Sequence, residues 1–157
     1  MNSGDKLQGY ILIEPIAEGG MGTVWKAKHP NLDRLVAVKC IRPDLLSEQK
    51  ARNLFVEEVK HLSQLHSPQV VQVLDSGVSE SNEPFMVTEF LSGEDLSEHL
   101  DAHGAVEASE ACRIGIEVLR ALTEAHALGI VHGDLKPSNI FLMSLPGEKH
   151  PAVKVLD

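Results

Sequence analysis

Short apolar runs of strand length dominate the first part of the chain. Tyr10 to Ile16 and Thr23 to Lys28 are two such runs, separated by Glu18-Gly19-Gly20-Met21-Gly22, and together they predict a hairpin with a glycine-rich turn. After a turn at Asn31-Leu32-Asp33-Arg34, a third strand covers Leu35 to Ile41. Alternation puts Leu35, Ala37, Lys39 and Ile41 on one face and Val36, Val38 and Cys40 on the other, so Lys39 is a lone charge on an apolar face. Pro43 ends that strand. The charged stretch Glu48 to Gln64 carries Leu54, Val59 and Leu62, continued by Leu65, in an approximate helical stripe, which predicts a helix. Val70 to Leu74 and Phe85 to Leu91 read as two further strands joined across a polar turn at Ser79 to Pro84.

The texture changes after Ser92-Gly93, where Glu94 to Ala102 and Ala108 to Leu128 read as helices. Glu110 near the start and His126 near the end of the second complement the helix dipole. Projected at about 100° per residue, this helix gathers Arg113, Glu117, Arg120 and Glu124 on a narrow polar strip and is apolar over roughly two thirds of its circumference, so it is expected to be covered on several sides. Gly129 fits a C-cap. A polar loop, His132 to Asn139, then leads into two short apolar strands, Ile140 to Met143 and Ala152 to Leu156. The order, five strands with one helix and then a helical region, is α+β.

Composition narrows the class. With 157 residues, 43% hydrophobic and 24% charged, the chain is long enough to bury a real core. Its 23 acidic against 14 basic residues, a formal net charge of -9, argue against nonspecific binding of nucleic acid or anionic membranes. Cys40 and Cys112 have neither CxxC spacing nor a disulfide framework, which predicts two buried structural thiols in a reducing cytoplasm. Met1 to Gln8 is polar, without the apolar core of a signal peptide, and no apolar run approaches the roughly 18 residues of a membrane span.

Three places carry candidate chemistry. The glycine-rich segment Ala17 to Val24 lies between strands, so it matches neither a dinucleotide fingerprint nor a Walker A loop, both of which open a helix. Its glycines would let backbone N–H groups approach phosphate oxygens, or would serve simply as a flexible hairpin turn. Lys39 either snorkels to solvent or is partnered from the following helix by Glu57 or Glu58. The third place is His132-Gly133-Asp134-Leu135-Lys136-Pro137-Ser138-Asn139. Phosphoryl transfer needs a carboxylate to orient and deprotonate a hydroxyl, a cation for the moving charge and an amide oxygen for magnesium, and Asp134, Lys136 and Asn139 are those types. A capping turn would use several of the same residues. Asp157, after the strand Ala152 to Leu156, is a possible second metal ligand.

In this order the segments resemble the protein kinase family, in the form found in bacterial serine/threonine kinases. The resemblance implies that Ile16, Ala17, Glu18, Gly19, Gly20, Met21, Gly22, Thr23 and Val24 form the nucleotide-covering loop, with Ala17 where the family's first glycine is expected. Val36-Ala37-Val38-Lys39 is similar to the third-strand motif, which gives Ala37 to the adenine pocket and Lys39 to the α- and β-phosphates of ATP. Spacing and the neighbouring Phe55 match Glu58, rather than Glu57, to the partner glutamate. Thr88 resembles the gatekeeper, Glu89-Phe90-Leu91 the adenine-binding hinge, and Asp95 the ribose contact. Asp134 is implied as catalytic base, Lys136 as the charge-steadying cation, and Asn139 and Asp157 as ligands of Mg²⁺.

The implied fold has a complete N-terminal lobe over residues 9–91, a five-stranded antiparallel sheet plus one helix, preceded by a flank at 1–8, and the first part of a helical lobe over 92–157. The implied activity is transfer of the ATP γ-phosphoryl group to Ser or Thr hydroxyls of protein substrates. Asp157 falls on the first residue of the family's Asp-Phe-Gly motif, so the chain reads as roughly the first half of a kinase domain, expected to be inactive by itself. Gly133 stands where many members carry Arg, and His-Gly-Asp also occurs in aminoglycoside and choline kinases. Small-molecule phosphotransfer and a noncatalytic ATP-binding or interaction fragment are the alternatives, and oligomeric state is not legible.

Overall fold

The computed structural model describes residues 2–19, 22–45 and 48–156. The chain divides into two compact units, residues 1–63 with 73–90 and residues 64–72 with 91–157. The first is built on an antiparallel sheet of β1 (Lys6–Leu7), β2 (Tyr10–Glu18), β3 (Gly22–Lys28), β4 (Leu35–Ile41), β5 (Val73–Val78) and β6 (Pro84–Glu89), in spatial order β1-β2-β3-β4-β6-β5. Register aligns Trp25 with Val38 and Val38 with Val87, and Ala27 with Val36. With Leu7, Tyr10, Leu12, Cys40 and Phe85 these residues form one closed apolar core. The opposite face carries Val24, Lys39 and Met86 in one row and Ala37 beside Thr88 in the next.

Helix α1 (Gln49–Ser63) lies against β5 and β6 and buries Ala51, Phe55 and Leu62. Glu58 continues that spacing with a side chain 12% exposed, while Leu54, on the apolar stripe expected from sequence, is 43% exposed. The stripe is rotated because a charged residue occupies one of its inward positions. A reading confined to apolar residues therefore includes the exposed Leu54 and leaves out Glu58, although it places Leu62 on the buried side.

The second unit contains a small antiparallel sheet of β7 (Gly93–Asp95), β8 (Ile140–Met143) and β9 (Ala152–Val155), together with α2 (Leu96–His103) and α3 (Ala108–Ala127). Asp95 caps α2 by a reciprocal box: its side chain accepts from the Glu98 amide at 2.9 Å, and the Glu98 carboxylate accepts from the Asp95 amide at 3.1 Å. Helix α3 packs against β9 and buries Ile114, Val118, Ala121 and Ala125, a spacing of i, i+4, i+7 and i+11. No helix among the described residues is long and apolar enough to cross a membrane.

The polar strip of α3 is a docking rail rather than a solvated face. Arg113 pairs with Glu110 at 2.6 Å and Arg120 with Glu117 at 2.7 Å, while Glu117 also accepts from Gln69 Nε2 at 2.8 Å. Glu124 accepts from the backbone amides of His66 and Ser67 at 3.0 and 2.7 Å. Beyond it, Val71 N donates to Val155 O at 3.0 Å and Val155 N to Gln69 O at 2.7 Å, a short parallel bridge at the edge of β9. The two amides hold the Glu124 carboxyl below its usual range. A carboxylate so depressed stabilises the fold fully above its unfolded value, about 4.3 for glutamate, and that contribution is lost as pH falls through the lower folded value. Glu124→Gln should therefore flatten the acid limb of stability. In urea melts at about pH 6 and about pH 3, the wild type should lose more between the two than the variant; parallel losses would refute the linkage.

Several expectations are corrected. The first sheet has six strands, because Lys6–Leu7 pairs with Ile11 and Tyr10 and brings Leu7 into the core; the flank at 1–8 is thus partly structural. Residues Val70 to Leu74 do not form one strand. Val70 and Val71 join the second unit and β5 begins at Val73. The helix expected from Glu94 begins at Leu96 and ends at His103, since Gly93–Asp95 pairs with Phe141 to Met143. Cys40 is buried, which pushes its thiol up to about 12, but Cys112 is exposed. Nor is α3 covered all round: Ile116 and Leu119 are 52% and 63% exposed among the described residues.

Candidate active site

In the first unit the hairpin between β2 and β3 closes with Gly19 N donating to Gly22 O at 2.9 Å. Ala17 and Glu18 pair with Val24 and Thr23, and Ile16 is 47% exposed. Gly20 and Met21 lie outside the described residues. The two described glycines of the turn differ. A Cβ on Gly19 would meet nothing closer than 3.9 Å, leaving space above the turn, whereas one on Gly22 would come within 2.4 Å of the Cys40 carbonyl. Gly22 is therefore required by close approach of β3 to β4.

Lys39 sits opposite Val24 on one side and Met86 on the other. Its Nζ donates to Glu58 Oε1 at 2.7 Å, with side chains only 11% and 12% exposed. Removing one member of so buried a pair would take from the other the opposite charge 2.7 Å away. Glu57 is exposed, so of the two glutamates it is Glu58 that meets the lysine. Ala37 pairs with Thr88, which is buried and whose Oγ1 donates to Glu89 O at 3.3 Å. Glu89 ends β6 and is half-buried.

In the second unit Leu91 is half-buried and Asp95 is the N-cap of α2. The His132 to Asn139 loop closes through a 3₁₀ turn at Pro137–Asn139, where Pro pre-sets the first residue and Asn139 N donates to Lys136 O at 2.9 Å. Gly133 has φ +75°, a left-handed conformation that favours glycine. Lys136 Nζ donates to Asp134 Oδ2 at 2.6 Å, and Asn139 Nδ2 donates to Asp134 O at 2.9 Å and Oδ2 at 3.3 Å. The bond from Lys136 chiefly, then its charge and the bond from Asn139, hold the Asp134 carboxyl below its usual range. An ionised carboxylate, an ammonium and an amide thus share one exposed loop. With its nitrogen committed to Asp134, Asn139 has an amide oxygen to offer, a hard donor of the kind that Mg²⁺ takes. Asp157 lies outside the described residues; Leu156 before it donates its amide to Asn139 O at 2.9 Å. Sequence reasoning missed Lys26, whose Nζ lies 5.6 Å from the Phe90 ring centroid and 3.0 Å from Glu14; no motif marks it.

The chain matches the family model of the protein kinase domain over residues 10–157. It is 40% identical over 149 residues to serine/threonine-protein kinase pkn3 of Myxococcus xanthus, covering 94% of this chain and 27% of that one. Among solved structures, the kinase domain of PknI from M. tuberculosis superposes with a TM-score of 0.82 at 25% identity, over 100% of this chain and 61% of that one. Rad53 residues 1–466 in complex with AMP-PNP gives a TM-score of 0.79 at 31% identity, over 96% of this chain and 38% of that one. The chain thus spans about a quarter of the curated relative and under two thirds of the solved kinase domain.

Proposed function

The chain belongs to the protein kinase family, and from that membership we propose that it carries the nucleotide-binding and catalytic-loop residues of a serine/threonine kinase that transfers the γ-phosphoryl group of ATP to protein hydroxyls. The observation that carries the proposal is the loop triad: Asp134 ionised, Lys136 2.6 Å from it and Asn139 bonded to it. Asp134 accepts the hydroxyl proton as the oxygen attacks phosphorus, and Lys136 offsets charge on the moving phosphoryl group. Lys39, held by Glu58, binds the α- and β-phosphates under the loop of residues 16–24. Val24 and, in the next row, Ala37 and Thr88 face adenine, whose edge bonds the hinge at Glu89 and Leu91, and Asp95 reaches the ribose. Asn139 and Asp157 would hold magnesium, which supplies neutralisation of the β- and γ-phosphate charge.

AMP-PNP in the related Rad53 structure supports ATP as donor, and the name of pkn3 supports Ser and Thr as acceptors over aminoglycosides or choline. The exposed Cys112 suits a reducing cytoplasm. The test is transfer of label from γ-labelled ATP in the complete kinase, followed by acid hydrolysis of the product. Phosphoserine or phosphothreonine is expected. Label on kanamycin or choline with none on protein would overturn the assignment.

A further inference from the structure

We propose that His99 and His103 on α2, with Glu94 behind them, form a binding site for a zinc-class divalent cation, separate from the loop triad and from any magnesium it uses. The two histidines are one helical turn apart, the i, i+4 spacing that puts two imidazoles on one face. Their rings stack at 4.6 Å between centroids and 30° between planes, and one ring nitrogen of each histidine and a carboxylate oxygen of Glu94 all lie within 4.8 Å of one another.

The hydrogen bonds make this more than proximity. His99 Nδ1 lies 2.8 Å from Glu94 Oε1, and His103 Nδ1 lies 3.2 Å from the His99 carbonyl oxygen. Both partners are acceptors, so in each neutral ring the proton sits on Nδ1 and the Nε2 lone pair is left to bind. A carboxylate or carbonyl behind Nδ1 with a metal at Nε2 is the usual outer-shell arrangement of histidine ligands. Glu94 and His99 are held, with side chains 38% and 29% exposed, while His103 is exposed and free to adjust to Zn–N distances of about 2.0–2.1 Å. A cleft of about 380 Å³, lined by Glu94, His99, Leu142, Glu148 and His150 among others, opens beside His99, and His103 is exposed, so water can reach the remaining coordination positions. Two imidazole donors select zinc, nickel or copper over magnesium. The cation would tie the last turn of α2 to the strand β7 that precedes it.

The test uses untagged full-length protein with Zn²⁺ alone, free of nucleotide, followed by calorimetry and by the visible spectrum of Co²⁺ as a substitute. One saturable equivalent is expected, together with a rise in melting temperature. His103→Ala, at an exposed position that should not disturb folding, and His99→Ala should each weaken binding at least tenfold and abolish the melting shift. Glu94→Gln should weaken it roughly 10- to 100-fold without eliminating it, and excess Mg²⁺ should not displace it. No saturable Zn²⁺ uptake by the wild type, or unchanged affinity in both histidine variants, would overturn the site.

Discussion

Replacing Asp134 with Asn is expected to lower phosphotransfer by roughly two to four orders of magnitude, the range of a positioned general base, while leaving stability nearly unchanged. The Asp134 side chain is 68% exposed and its partner Lys136 is 51% exposed, so their ion pair adds little to the fold. In its proposed role the carboxylate contributes a proton acceptor, ionised at neutral pH because Lys136 and Asn139 both donate to it. Asn keeps the shape but accepts no proton. The loss should therefore fall on kcat, with KM for ATP little changed, because the proposed role places the group in the transition state rather than in nucleotide binding. Lys39→Met makes the contrast: it removes the proposed phosphate ligand and also takes from Glu58 the cation 2.7 Å away, so kcat, KM and melting temperature should all worsen. A kinase whose kcat survives Asp134→Asn within tenfold would remove Asp134 from the chemistry.

The largest structural effect is expected at Gly93. It has φ +147°, outside the range of L side chains, and a Cβ built there would lie 2.1 Å from the Leu142 carbonyl oxygen and 3.2 Å from Met143 Cα. Both obstacles are backbone in the paired strand β8, so neither can rotate aside. Gly93→Ala must then break the pairing of Gly93–Asp95 with Phe141 to Met143 or shift the strand. Backbone strain alone costs about 1–3 kcal/mol, and the lost ladder adds to it. Denaturant melts should show a destabilisation above about 3 kcal/mol. Gly104→Ala is the control, since it too has positive φ, +78°, but nothing lies within 4 Å of its Cβ position. Equal losses at both sites would show that the collision carries no weight.

Alternation made β2, β3, β4 and β6 legible to within a few residues, because each is long enough to show period two and ends at a turn signal. It could not show β1, only two residues long among polar neighbours, because its pairing with β2 leaves no local pattern. The α2 boundary was readable in principle: Asp95 followed by Glu98 is a capping-box pattern, whereas a high density of helix formers drew the start back to Glu94. Val70 and Val71 were indistinguishable from a continuation of β5, since an apolar pair does not say which sheet it pairs with. In the site, the loop triad was legible because all its members lie within six residues, Asp134 to Asn139. The Glu58 partnership needed the resemblance, because spacing alone left Glu57 open. The Glu94, His99 and His103 cluster went unread, since the strand end at Glu94 folds back on the helix in a way that no periodicity encodes.

The segment 64–72 has a consequence for dissection of the protein. Because the second unit is assembled from two stretches of chain, 64–72 and 91–157, it is not a transplantable module. A graft or deletion cut at the apparent linker near Leu91 would carry Glu124 without the His66 and Ser67 amides and Val155 without Gln69 and Val71. The short segment would have to be supplied in trans as a peptide, or spliced back by circular permutation, before either piece could be treated as an independent part.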